Sequence, residues 1–242
     1  MTGLILFDLD GTLLDHRGAL LTAIRDLIAR FGVAGGPAEE LVSTWWSLER
    51  RHMGDYLAGR CSFEEQRRRR LREFLPLLGE PVPGDRAGLD AWFAEEYLAG
   101  YTAGLRDYPD AAPCLASLAG TGSRLAVFTN GERRQQRAKL HRFGMLAHFE
   151  DVVTPADVGT AKPDPDCLVR ACRRLGVAPA EAVYVGDWLE GDAIAAARGG
   201  LRGIWLDRGV HAMTGEATTQ DEGAGEPITR ITTLHDLPSA LR

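Results

Sequence analysis

No apolar run in the chain approaches the roughly twenty residues that a membrane-spanning helix needs. A basic leader with a cleavable apolar segment is also missing, since Met1-Thr2-Gly3 passes straight into Leu4-Ile5-Leu6-Phe7. We therefore expect a cytoplasmic protein with no membrane partner. The four cysteines, Cys61, Cys114, Cys167 and Cys172, are scattered and form no CxxC pair, which argues against a zinc site and, without a leader, against a disulfide framework. They are expected to be reduced thiols. A formal charge of -6 gives no electrostatic ground for binding nucleic acid, although Arg67-Arg68-Arg69-Arg70 is a local exception. No repeat or long low-complexity segment is visible, and no residue pattern speaks to oligomeric state.

What is present is the composition of a globular protein, 45% hydrophobic and 26% charged over 242 residues, enough for one domain with a smaller insertion. Short aliphatic runs at Leu4 to Phe7, Leu125 to Phe128, Asp151 to Thr154, Ala182 to Val185 and Gly203 to Leu206 each end in a polar or glycine-containing turn. Such runs suit strands buried on both faces of a parallel sheet. Helical stretches at Arg133 to Phe143, Pro165 to Leu175 and Glu190 to Arg198 separate the later runs, with Pro165 opening one and Gly199 closing another. Alternation of this kind predicts an α/β fold with a Rossmann-like open parallel sheet. The polar stretch from Gly215 to Pro227 reads as an exposed loop before a last strand near Ile228 to Ile231.

From about Asp15 to Leu105 the rhythm breaks. This interval is rich in arginine, alanine and leucine and carries no strand signal, so we expect a helical unit over 16–105 inserted into a core built from 1–15 and 106–242. Ser62 and Glu65 have the spacing of a capping box, opening a helix that carries the arginine run. Four successive arginines point around all sides of a helix, which favours a solvated surface over a phosphate-binding patch.

In an open parallel sheet, ligands gather beyond the carboxyl ends of the strands. The residues there form a consistent set: Asp8-Leu9-Asp10-Gly11-Thr12, then Thr129-Asn130-Gly131, then Lys162-Pro163, then Gly186-Asp187 with Asp192 following. A hydroxyl, a lysine and several carboxylates should thus converge in one crevice. Clustered carboxylates repel one another unless cations balance them. Magnesium suits such a site, because it prefers oxygen ligands and commonly shares carboxylates with a substrate phosphate, whereas zinc would call for His or Cys.

The segment Asp8 to Thr12 resembles the DxDGT signature of haloacid dehalogenase-like (HAD) phosphatases, and Thr129, Lys162 and Gly186-Asp187 to Asp192 match the remaining motifs in order. The resemblance covers about two-thirds of the chain, and four ordered motifs are far more specific than one. It implies a phosphatase of subfamily I with a helical cap, hydrolysing a small phosphorylated metabolite. Asp8 would be the nucleophile that becomes an aspartyl phosphate, and Asp10 the acid/base. Thr129 and the backbone around Asn130 would hold phosphoryl oxygens, with Lys162 neutralising them. Magnesium would sit on Asp8, the carbonyl of Asp10 and Asp187, with Asp192 as a further acidic partner. The cap would close over the site and set specificity. His52 and Arg60 are candidates for that task, beside the plainer reading that they are structural or solvent-facing.

One departure stands out, since the family pattern after Gly186-Asp187 has a small hydroxyl residue and, three further on, Asn or Asp, where this chain has Trp188 and Gly191. The metal carboxylates keep their spacing, and Trp188 is expected to pack under the cap rather than to stack on an aromatic substrate. Four alternatives share the fold. A 2-haloacid dehalogenase is disfavoured by Asp10, because expelled halide needs no proton. A phosphonatase is disfavoured because the insertion has no lysine. A phosphomutase would need the same Asp10, and a non-catalytic binding protein would not need the whole set of chemical groups.

Overall fold

A computed structural model of the chain describes residues 3–31, 38–209 and 228–242. The chain divides into two compact units, one made of Met1–Leu14 with Asp107–Arg242 and the other of Asp15–Arg106. In the first, β1 (Leu4–Phe7), β2 (Arg124–Phe128), β3 (Val152–Val153), β4 (Ala182–Gly186), β5 (Arg202–Leu206) and β6 (Thr229–Ile231) form one sheet of order β3-β2-β1-β4-β5-β6. Every pairing is parallel. The expected runs are therefore strands, β3 being shorter than its apolar run. The central strand β1 is wholly buried, which is why it reads as an unbroken aliphatic run rather than an alternation.

The second unit is helical, with α1 (His16–Phe31), α2 (Ala38–Leu57), α3 (Phe63–Phe74), α4 (Arg86–Trp92) and α5 (Ala99–Gly104), the last two joined by a π-helical turn at Phe93–Leu98. Ser62 caps α3 by accepting the Glu65 N–H at 3.1 Å. The unit's core is aromatic: the Trp45 ring lies 4.8 Å from Phe74 and 4.4 Å from Tyr97. No helix among the described residues is long and apolar enough to cross a membrane.

The arginine run on α3 is not the solvated face that we expected. Arg70 is buried and bonds to Glu49 at 2.5 Å, Arg68 bonds to Asp90 at 2.8 Å, and Arg69 pairs with Asp55 at 3.2 Å. The Arg67 guanidinium lies over the Phe63 and Phe93 rings at 4.3 and 4.8 Å. The reason is that α2 and α4 supply a carboxylate, and the π-turn an aromatic face, in each direction around α3 that an arginine takes. Guanidinium groups tolerate such burial because they are weakly hydrated and planar.

In the first unit the helices are α6 (Ala111–Gly120), α7 (Arg133–Arg142), α8 (Pro155–Val158), α9 (Asp166–Arg174), α10 (Ala195–Arg198) and α11 (Leu237–Ala240). Cys167, Leu168, Ala171 and Cys172 make one stripe of α9 that packs against Leu4, Leu6, Ala126 and Tyr184 of the sheet. All four cysteines are free thiols, and burial pushes Cys167 up to about 12. The helix expected over Glu190 to Arg198 begins as a π-helical turn, Leu189–Ile194, before α10. The polar stretch Gly215 to Pro227 lies outside the described residues.

Glu49 generates a test of the helical unit. Burial works to raise its pKa, but Arg70 and His16 outweigh burial and hold it well below the ordinary 4.5. A depressed carboxyl stabilises the fold above its unfolded pKa, and that contribution is lost as pH falls below about 4.5 towards the folded value. Glu49→Gln should therefore destabilise the protein by about 3 kcal/mol or more at pH 7, because it leaves Arg70 buried without its counter-charge. The deficit relative to wild type should shrink below pH 4. Urea denaturation across that range checks both, and an equal deficit at every pH would show that the ion pair is not the source.

Candidate active site

Register sets the site. Phe7, the last residue of β1, lies opposite Val127 of β2 and Val185 of β4, so the residues leaving these three parallel strands emerge at one level. Asp8 follows β1, Thr129 follows β2 and Asp187 follows β4. The Asp8 N–H still donates to the Val185 carbonyl at 2.9 Å, which fixes its backbone to the sheet as the side chain turns into the site.

Lys162 comes from the loop between α8 and α9, and Asn130 anchors that loop. Asn130 Nδ2 donates to the Lys162 carbonyl at 2.9 Å, and the Lys162 N–H donates to Asn130 Oδ1 at 3.0 Å. Asn130 thus spends one Nδ2 hydrogen and one Oδ1 lone pair on holding the loop in place. The buried Lys162 ammonium reaches Asp8 Oδ1 at 2.8 Å, Asp192 Oδ1 at 2.7 Å and Tyr184 Oη at 2.9 Å. All three of its N–H donors thus have an acceptor. Tyr184 passes its own proton to the Phe128 carbonyl at 2.8 Å, so its oxygen faces the ammonium as an acceptor.

Asp8, Asp187 and Asp192 each present an oxygen within 4.8 Å of the others. Asp187 Oδ1 accepts from Thr12 Oγ1 at 3.0 Å. Gly11 is required for this approach, since its φ is +96° and a Cβ there would lie 2.3 Å from the Asp187 carboxylate. Asp192 is wholly buried, and its second oxygen accepts the Trp188 N–H at 2.8 Å. A backbone donor thus braces Asp192 from the position where the family pattern has a hydroxyl residue. Trp188 and Gly191 are moreover one feature, because a Cβ at Gly191 would meet the indole at 2.0 Å.

The electrostatics follow from burial and crowding. Burial raises Asp8, Lys162 pulls it back, and Asp192 and Asp10 add to the rise, leaving it at about 7. Burial, Asp8 and Asp192 raise Asp187 well above the ordinary range. Burial would lower Lys162, but Asp192 and Asp8 more than offset it, and it stays protonated. Three carboxylates facing one ammonium leave an excess of negative charge on hard oxygen donors. That donor set fits a divalent cation of the magnesium or calcium type.

The structure brings together Asp8, Lys162, Asp187 and Asp192 as expected from the sequence. The Asp10 carboxylate instead contacts two residues that sequence reasoning missed, Lys139 at 2.8 Å to each oxygen and Gln136 at 2.8 Å. Gln136 also reaches Thr129 Oγ1 at 2.9 Å. Tyr184 was missed as well, being hidden in an apolar strand run. A signal for Lys139 did exist: the chain has 28 basic residues, and only Lys139 and Lys162 are lysines. The two specificity candidates lie in the helical unit, where the buried His52 bonds to Glu73 at 2.8 Å and the exposed Arg60 pairs with Asp55 at 2.7 Å.

The family model for haloacid dehalogenase-like hydrolases matches residues 2–200. A glyceraldehyde 3-phosphate phosphatase from Methanopyrus kandleri is 42% identical over 107 residues, 44% of this chain and 46% of the relative. The chain thus matches less than half the length of that relative. A ribulose-1,5-bisphosphate 5-phosphatase from Halopiger xanaduensis is 27% identical over 244 residues, 98% of each chain. The crystal structure of a 2-haloacid dehalogenase from Pseudomonas syringae pv. Tomato superposes with a TM-score of 0.67 at 29% identity, covering 100% of this chain and 98% of that one.

The carboxylate cluster predicts ligand-linked stability. Millimolar magnesium should raise Tm, since a cation at 100 times its Kd stabilises by about 2.7 kcal/mol, and chelation should reverse the gain. Asp187→Asn should abolish the shift while leaving the metal-free Tm near or above that of wild type, because it relieves repulsion. A thermal melt with and without chelator decides it; an unchanged wild-type Tm would mean that the cluster holds no such ion.

Proposed function

Because the chain belongs to the haloacid dehalogenase-like hydrolase family, we propose that it is a magnesium-dependent phosphomonoesterase, acting on a small phosphorylated metabolite through a phosphorylated Asp8. The observation that carries this reading is the buried Asp8 carboxylate held between Lys162 at 2.8 Å and two further carboxylates whose oxygens lie within 4.8 Å. Such a site is built to receive a divalent cation together with a polyanionic group, and phosphoryl transfer is mainly positioning and charge stabilisation. The phosphatases among its relatives support the substrate class.

In the first half-reaction Asp8 attacks phosphorus, the ester P–O bond breaks, and Asp10 gives a proton to the departing oxygen. Thr129 and the backbone at Asn130 hold the phosphoryl oxygens. Lys162 keeps the charge of nucleophile and phosphoryl group in check. In the second half Asp10 takes a proton from water, which attacks the phosphorus; the bond to Asp8 breaks and inorganic phosphate leaves. Magnesium, held by Asp8, the Asp10 carbonyl and Asp187 beside Asp192, would supply positive charge to the phosphoryl oxygens. The helical unit would choose among substrates.

Asp10 also separates this reading from carbon–halogen cleavage, in which the leaving halide needs no proton. Asp8→Asn should abolish magnesium-dependent hydrolysis of p-nitrophenyl phosphate without unfolding the protein. Asp10→Ala should release about one equivalent of nitrophenolate per site in a burst, because that phenolate leaves without help, and then turn over about 10²- to 10⁴-fold more slowly than wild type for want of a general base. Rapid-mixing absorbance resolves the two phases. A normal steady-state rate in Asp10→Ala, or turnover in folded Asp8→Asn, would overturn the assignment.

A further inference from the structure

Helix α7 aims Gln136 and Lys139 at the same carboxylate. They lie three residues apart, hence on one face, and both are buried. Lys139 Nζ sits 2.8 Å from each oxygen of Asp10. Gln136 Nε2 sits 2.8 Å from Asp10 Oδ2 and 2.9 Å from Thr129 Oγ1. An amide nitrogen has two hydrogens, and these two contacts use both.

The orientation of that amide follows from Asp10. Turned over, it would set its carbonyl oxygen against the carboxylate, so the N–H₂ group must face Asp10 and therefore Thr129. Thr129 Oγ1 then accepts from Gln136, and it also accepts the Gly131 N–H at 3.3 Å. A hydroxyl has two acceptor lone pairs and one proton. With both lone pairs engaged, the Thr129 hydroxyl can act towards a ligand only as a donor. A phosphoryl oxygen is an acceptor. The close approach is built into the loop as well, because a Cβ at Gly131 would stand 2.4 Å from the same Gln136 nitrogen.

We propose that Gln136 and Lys139 are positioning residues: Lys139 pins the Asp10 carboxylate, Asp10 orients the Gln136 amide, and Gln136 sets the Thr129 hydroxyl to donate to the phosphoryl group. The role of the hydroxyl rests on the phosphatase reading, but the donor chain itself does not depend on turnover. Both act through Asp10 and Thr129. The consequence for the enzyme is that its phosphate-holding hydroxyl and its acid/base carboxylate are fixed by one amide rather than independently.

The test is calorimetric binding of inorganic phosphate with magnesium present, run beside p-nitrophenyl phosphate turnover. Gln136→Met keeps the length of the side chain and removes the N–H₂ group. It should weaken phosphate binding about tenfold, the effect of one hydrogen bond to a charged group. Thr129→Val should weaken binding at least as much, and adding Gln136→Met to Thr129→Val should change it little, since the hydroxyl that Gln136 orients is gone. A packing role for Gln136 would lower Tm without that pattern. Phosphate affinity equal to wild type in Gln136→Met, or the same loss in both backgrounds, overturns the inference while normal wild-type turnover leaves the phosphatase reading intact. The expected binding pattern in a wild-type protein that hydrolyses no phosphate ester would support the donor chain and sink the phosphatase reading.

Discussion

Three carboxylates within 4.8 Å of one another at the buried end of a parallel sheet repel, and the Lys162 ammonium is what allows them to stay there. It touches Asp8 and Asp192 directly and is held by Tyr184 from below, so its own position depends on the sheet. The surrounding loops converge on that ion: Asn130 fixes the backbone of Lys162, Trp188 braces Asp192, and Thr12 braces Asp187. One ammonium cannot balance the whole cluster. The remaining charge lies on oxygen donors of the kind that a hard divalent cation would balance, and burial together with the neighbouring carboxylates raises the pKa values of Asp8 and Asp187.

Much of this was legible in the sequence because it is local. A strand buried on both faces reads as an apolar run, and ligands gather beyond the carboxyl ends of such strands, so Asp8, Thr129 and Asp187 could be placed at one end of the sheet from Leu4 to Phe7, Leu125 to Phe128 and Ala182 to Val185. Lys139, Gln136 and Tyr184 could not. Asp10 lies 129 residues from Lys139, and although Lys139 stands out as one of only two lysines in the chain, nothing local to the basic helix Arg133–Arg142 says which carboxylate it meets. The arginine run was misjudged for the same reason: whether Arg70 is solvated depends on Glu49 of another helix. Pattern reveals which face is apolar, but not which charge waits opposite it.

Likeness of fold does not choose between the chemistries that this family supports, since a 2-haloacid dehalogenase superposes over the whole chain. The choice lies in side chains. A carboxylate attacking carbon needs a counter-charge, which Lys162 could supply alone, and it has no use for an acid or for a second and third carboxylate crowding the first. Keeping Asp187 and Asp192 beside Asp8 is costly in repulsion, and that cost is one that a bound cation would offset, which is why the phosphoryl-transfer proposal rests on this cluster.

The division of labour between the basic residues sharpens the point. Of 28 basic residues, the two lysines contact Asp8 and Asp10, while arginines serve the ion pairs between helices. A guanidinium presents a rigid planar fork and prefers two acceptors in its own plane. An ammonium is compact and directs three donors along a tetrahedron, which is what Lys162 requires to meet Asp8, Asp192 and Tyr184 from one point. At Lys139 the same compactness lets one nitrogen bond to both oxygens of Asp10 and still leave room for Gln136 on Oδ2. An arginine in either place would have to widen the site to fit, and the separation between Asp8 and Asp10 would change with it.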